Sequence, residues 1–132
     1  MARLLKLQKR AARLILDADP LSPSQPLFRQ LGWMTVDERI KYHKYLLTYK
    51  CLKTDDAPTY LSEKFKLISD NNPYQLRNTA KGNLCIPKPN KELYKKSFIY
   101  SGSVLWNDLP LPIRCVNNTN VFKKRVKDFL MS

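Results

Sequence analysis

Few residues in this chain have types and spacings suited to covalent or metal chemistry. Asp55 and Asp56 are adjacent in KTDDAP, and paired aspartates after an apolar, aromatic hairpin hold magnesium in many nucleotide polymerases. Here the flanking sequence predicts a helix-to-helix turn, with no strand on either side and no third acid to complete a metal site. A solvated turn accounts for the pair. His43 is the single histidine, and its helical setting suits either a general base or a packed, hydrogen-bonded ring. Packing is the simpler role, because no Ser or Cys at local spacing nominates a nucleophile, although pairing through the fold stays open. Cys51, Cys85 and Cys115 are odd in number, widely separated and without a Cys-x-x-Cys pair. They read as reduced thiols of an intracellular protein, in the nucleus or cytoplasm, and not as zinc ligands or disulfides. A Gly-rich phosphate loop is also missing. No catalytic residue, metal or cofactor is therefore expected.

What remains is charge. The 132 residues carry 24 Lys and Arg against 11 Asp and Glu, a net +13, with 43% hydrophobic residues and three Gly. That length suits one domain, 1–132, and is too short for a multi-domain enzyme. The composition is that of a folded basic protein and not a disordered tail. Such an excess favours polyanions, because association releases condensed counterions, and it suits nucleic acid or an acidic membrane face equally. No apolar run approaches the roughly 20 residues needed to span a bilayer.

The elements that must position these charges are helices. ARLLKLQKRAARLILD, from Ala2 to Asp17, has strong helix formers and neither Gly nor Pro. Leu4, Leu7, Ala11 and Leu14 are its expected inner stripe, with Arg3, Lys6, Arg10 and Arg13 about 100° away. An Arg-rich amphipathic start also fits a presequence or membrane-surface helix, but it lacks Ser and leads through prolines into further structured segments. Prolines 20, 23 and 26 precede a short helix over Pro26–Leu31, closed by Gly32 as C-cap with Trp33 packed over that end. Thr35 and Glu38 fit a capping box for a helix running to about Lys53, with Val36, Ile40, His43, Leu47 and Cys51 inward. Another short helix runs from Pro58 to about Phe65. The polar stretch around 69–82 is the main loop, and Asn83–Pro87 is the one candidate extended segment.

Renewed helical patterning follows Pro89 and Asn90. In SFIYSGSVLWNDLP, Ser97–Pro110, the expected inner face is Tyr94, Phe98, Ser101 and Leu105, with Ile99 and Gly102 beside it. Gly102 costs about 1 kcal/mol relative to Ala inside a helix, so another backbone is expected to approach there. Trp106 caps the cluster before Pro110 and Pro112 end the run. Asn118 or Thr119 caps a last helix whose inward residues are Val121, Phe122, Val126, Phe129 and Leu130. The expected fold is mainly α, with short helices, long loops and at most one or two short strands.

Basic residues cluster at both ends and in Lys88, Lys91, Lys95 and Lys96 between them. Tyr94, Tyr100 and Trp106 lie near the middle lysines as possible base-stacking groups, although core packing explains them more simply. The candidate phosphate contacts are Arg3, Lys6, Lys9, Arg10, Arg13, Lys95, Lys96, Lys123, Lys124, Arg125 and Lys127.

Nearly the whole chain resembles the C-terminal region that follows the polymerase core in LINE-type, non-LTR retrotransposon reverse transcriptases, especially jockey-like elements. The resemblance is carried, in order, by LQKRAARLIL, PLFRQLGWMTVDERIKYHKYLLTYKCL, APTYL, RNTAKGNLCIPKPN, SFIYSGSVLWNDLP and FKKRVKDFL. It implies a non-catalytic helical module that stays with the reverse transcriptase core of its parent element and helps hold RNA or DNA. The family's polymerase aspartates and endonuclease lie upstream and have no counterpart here. A Cys/His zinc motif found in some relatives is missing too. Helical patterning begins almost at Met1 without a capping residue, which suggests an internal start within a longer element. The alternatives are a structural domain that packs on the polymerase body, or a decayed fragment with no independent function.

Overall fold

Three helix starts among the described residues, at Val36, Phe98 and Thr119, have a side-chain oxygen that accepts from a first-turn N–H. The computed structural model describes residues 2–65, 84, 86, 88 and 90–131. Among them the helices are α1 (Ala2–Ile15), α2 (Ser24–Leu31), α3 (Val36–Lys53), α4 (Thr59–Ser62), α5 (Glu92–Lys95), α6 (Phe98–Asp108), α7 (Leu111–Arg114) and α8 (Thr119–Met131). No strand occurs among the described residues beyond an isolated bridge at Leu84. The fold is mainly α, as the patterning indicates. The expected loop at 69–82 lies outside the described residues, as do positions 83, 85 and 87 of the expected extended segment.

The helix ends agree closely with local sequence chemistry. The Thr35 N–H donates to Glu38 Oε2 at 3.0 Å, and the Glu38 N–H donates to Thr35 Oγ1 at 3.3 Å, completing the capping box that opens α3. Gly32 adopts φ 67° and closes α2, with its N–H on the Arg29 carbonyl and that of Trp33 on Phe28. Asn118 Oδ1 accepts from the N–H groups of Asn120 and Val121 at the start of α8. Two boundaries differ from expectation. α2 begins at Ser24, because Pro26 is tolerated in a first turn whose N–H groups have no intrahelical partner. After Pro110 the chain forms α7, with Pro112 in its first turn, where the sequence suggested that helix ends altogether.

The chain divides into two compact units, Met1–Tyr42 with Lys127–Ser132, and His43–Val126. In the first, α1 packs against α2 around buried Ala12, Phe28 and Met34. Gln8 Nε2 donates to the Met34 carbonyl at 2.7 Å, and the Trp33 ring stacks on Phe28 at 6.4 Å, over the end that Gly32 closes. The expected inner stripe of α1 is corrected here: Leu4, Leu7 and Leu14 are exposed, and Ala12 is the buried residue. Leu5, Gln8 and Ala12 form an equally regular i, i+3, i+7 row, and it is this row that turns inward, with Ala12 buried and Leu5 and Gln8 half-buried.

The second unit is built on aromatic packing. The Tyr49 and Phe122 rings stack with centroids 4.1 Å apart, Trp106 meets Phe122 at 6.0 Å, and Phe65 meets Phe98 edge-on at 5.5 Å. In α3 the buried residues are Tyr45, Thr48, Tyr49 and Cys51, so of the expected inner set only Cys51 is buried, and His43 is exposed. The sequence of α3 is apolar or aromatic on several faces, and the large tyrosine rings take the interior because they bury more area. In α6 the buried residues are Gly102, Ser103 and Trp106. Ser97 breaks the expected run by capping α6, with its Oγ accepting from the Tyr100 N–H at 3.4 Å, which leaves Tyr94 on the separate helix α5. In α8 only Phe122 and Val126 of the expected five are buried, while Val121 and Phe129 are exposed.

Asn107 has a role that no periodicity signals. The Leu84 N–H donates to Asn107 Oδ1 at 2.8 Å, and Asn107 Nδ2 donates to the Leu84 carbonyl at 3.0 Å. A primary amide thus satisfies both backbone polar groups of Leu84, itself fully buried. Asn107→Ala removes both bonds and is expected to cost about 2 kcal/mol in a denaturant titration. Asn107→Asp keeps an acceptor but sets a carboxylate against the Leu84 carbonyl, so the rescue by Asp should be partial at best. Wild-type stability in both variants would remove the structural role of this pair.

Candidate nucleic-acid interface

The basic residues of α1 gain their geometry from the row that turns inward. With Leu5, Gln8 and Ala12 turned inward, Arg3, Lys6 and Arg10 are exposed over two turns of helix, a rise of about 10 Å. α1 contains no acid, so nothing within the helix offsets them. Two members of the candidate set are less available. Lys9 is half-buried, and Arg13 donates from Nε and Nη2 to the Ser22 carbonyl at 3.2 and 3.0 Å, tying the proline-rich turn to α1. Arg13 therefore supports the turn first, with its charge still close to the exposed three.

The apolar residues expected inside lie beside this stripe. Leu4, Leu7, Leu14 and Ile15 are 54%, 62%, 74% and 59% exposed. The outward surface of α1 thus carries a basic row and an apolar row side by side. Lys127, exposed on α8, belongs to the same unit.

In the second unit, Lys124 and Arg125 are exposed on α8 and Lys123 is half-buried, with Arg125 Nη1 donating to the Pro112 carbonyl at 3.3 Å. Lys95 and Lys96 are exposed at the end of α5, and Lys95 Nζ pairs with Glu92 at 2.8 Å. In an exposed i, i+3 pair this bond is worth little, so Lys95 can exchange Glu92 for phosphate. Beside these lysines lies an open groove of about 630 Å³, lined by Lys88, Asn90, Lys91, Leu93, Tyr94 and Ser97. Lys88 and Lys91 belong to the middle lysine cluster that the sequence shows beside Tyr94, although only Lys95 and Lys96 of that cluster stand among the candidate phosphate contacts.

Of the three aromatic groups near the middle lysines, Trp106 is buried at 2% exposure, Tyr100 is half-buried and Tyr94 is 41% exposed. Trp106 is therefore a core residue, and Tyr94 is the one of the three whose ring solvent reaches freely.

The groups with potential for covalent chemistry are placed as follows. Asp55 and Asp56 are exposed in the turn between α3 and α4, where the Asp56 N–H donates to Thr54 Oγ1 at 3.4 Å. Burial pushes the Cys51 thiol above its ordinary range, against a smaller opposing effect from Ser62. That thiol stays protonated near neutral pH and is a poor nucleophile. Cys51 and Cys115 are both free thiols, and Cys85 lies outside the described residues. Among the described residues, no three His, Cys, Asp or Glu side chains gather to hold a metal ion, and no helix is long and apolar enough to cross a membrane.

No protein-family model, curated protein or solved structure matches the chain.

Proposed function

We propose that this chain is a non-catalytic helical module that holds RNA or DNA through phosphate contacts, as the tail of a LINE-type reverse transcriptase would beside its polymerase core. The setting is the nucleus or cytoplasm. The observation that carries this reading is the exposed Arg3, Lys6 and Arg10 row on an acid-free helix of a chain with net charge +13. A row of fixed cations two turns long suits a regular polyanion, with little dependence on base sequence.

Titrating labelled single-stranded RNA and duplex DNA at increasing salt tests the proposal. Each phosphate contact is expected to contribute a log-log slope of about −0.7 for single strands and −0.9 for duplexes. The triple variant Arg3→Glu, Lys6→Glu, Arg10→Glu should weaken binding to all sequences together and flatten the slope by about 2 to 3. It leaves the Arg13–Ser22 tie intact, so its circular dichroism and melting should match the parent chain. Affinity that ignored salt would overturn the reading.

A second reading has its own support in Leu4, Leu7, Leu14 and Ile15, whose exposure leaves an apolar row open on α1. Such a row suits a hydrophobic partner, and the polymerase body of a parent element is the natural one. Co-expression with the upstream polymerase segment distinguishes the two. A complex that persists at high salt, formed by a domain that binds no nucleic acid by itself, would favour packing over phosphate contact.

A further inference from the structure

The groove over α5 has features that phosphate contact alone does not need. Its cationic lining residues are Lys88 and Lys91, both exposed, and among the described residues no acid lines it. Leu93 and Tyr94 contribute an apolar and an aromatic surface, 78% and 41% exposed, where side chains of these types ordinarily turn inward. Asn90 offers both a donor and an acceptor, and Ser97 a hydroxyl whose oxygen already caps α6. The volume, about 630 Å³, lies within the range of about 300 to 1,000 Å³ that accepts a group the size of a small molecule. A ligand that complements this lining is anionic on one side and flat and apolar on another.

We infer that this groove seats an unstacked base of a single-stranded nucleic acid on Tyr94, with Lys88 and Lys91 meeting its phosphates. The inference rests on the nucleic-acid reading above and narrows it. Bases in a duplex have both faces covered by their neighbours, so only a single strand, or an unpaired stretch, can present a face to Tyr94. The stacking is indifferent to base identity, since every base has a π face, while Asn90 can add a modest preference through a base edge. RNA and DNA share this chemistry, and oligo(U) and oligo(dT) of equal length separate them.

The test measures binding of the full chain to fluorescent oligo(U), oligo(dT) and a blunt DNA duplex at one fixed salt concentration. Tyr94→Ala is expected to lower affinity for at least one of the single strands by about 5- to 100-fold and leave the duplex unchanged, whereas Tyr94→Phe keeps most of the affinity. Lys88→Ala with Lys91→Ala should flatten the single-strand salt slope by about 1.4. Unchanged thermal melting of each variant shows that the fold is retained. If Tyr94→Ala weakens neither class, or weakens both equally, the groove assignment falls while salt-dependent binding by the parent chain still supports the wider reading. If the parent chain binds neither single strands nor duplex, both fall.

Discussion

Phe122→Ala is expected to lower stability by about 3 to 5 kcal/mol. Phe122 is fully buried, its ring stacks on Tyr49 at 4.1 Å and lies 6.0 Å from Trp106. Removing it deletes the shared surface of two other aromatic side chains and leaves a void bounded by rigid rings that cannot collapse into it. Tyr49→Phe is the matching control. The Tyr49 hydroxyl is buried and meets no protein partner, so this change keeps the stacked ring and should shift stability by no more than about 1 kcal/mol. Denaturant titrations with an unchanged m-value would assign the loss to the folded core. A Phe122→Ala chain as stable as the parent would remove the aromatic core from this account.

Gly102→Leu comes next, at about 3 kcal/mol. A Cβ at this position would stand 3.1 Å from Thr48 Oγ1, 3.2 Å from Phe98 Cε2 and 3.5 Å from Phe65 Cζ. Thr48 cannot retreat easily, because it is fully buried and its hydroxyl donates to the Lys44 carbonyl at 2.8 Å. Gly102→Ala is a finer probe. It gains about 1 kcal/mol of helix propensity and loses a comparable amount if Thr48 and Phe98 must shift by a few tenths of an ångström. Ala should therefore be close to neutral and Leu severe, a contrast that thermal melting resolves directly. Equal melting temperatures for Gly, Ala and Leu would show that α6 does not press against α3 at this point.

The two effects also show which parts of the fold were open to sequence reasoning. SFIYSGSVLWNDLP indicates a packed helix, and Gly102 indicates a close approach, because a glycine inside a helix is costly unless something needs the space. What approaches is a side chain, the Thr48 hydroxyl, in place of the expected backbone. Trp106 belongs to the core, as its size suggests, but Tyr94 does not share its helix. The break comes from Ser97, whose hydroxyl can cap a new helix as readily as it can ride within an old one. The Asn107–Leu84 pair spans 23 residues, and no local pattern points across such a distance.

The basic interface divides in the same way. The row Arg3, Lys6, Arg10 and Arg13 follows from spacing, and three of its members are exposed. Arg13 holds the Ser22 carbonyl instead, a partner brought close only by the fold of the proline-rich turn. The groove over Tyr94 is lined from one short stretch, Lys88 to Ser97, whose lysines and tyrosine are neighbours in the sequence; that Tyr94 is exposed there while Trp106 is buried comes only from the fold.

By itself, then, the sequence determined the helical class, the capping box at Thr35 and Glu38, the Gly32 stop, a last-helix cap at Asn118 or Thr119 and the charge of the surface. Each of these closes within about four residues, or sums over the whole chain, and needs no knowledge of a distant neighbour. Tertiary structure alone decided which row of α1 is buried, that the tyrosines of α3 displace His43 from the interior, and that Tyr94 is open while Trp106 is closed. Those choices turn on which side another element covers. In α1 and α3 more than one row of side chains is apolar enough to be covered, so periodicity leaves the face open and packing selects it.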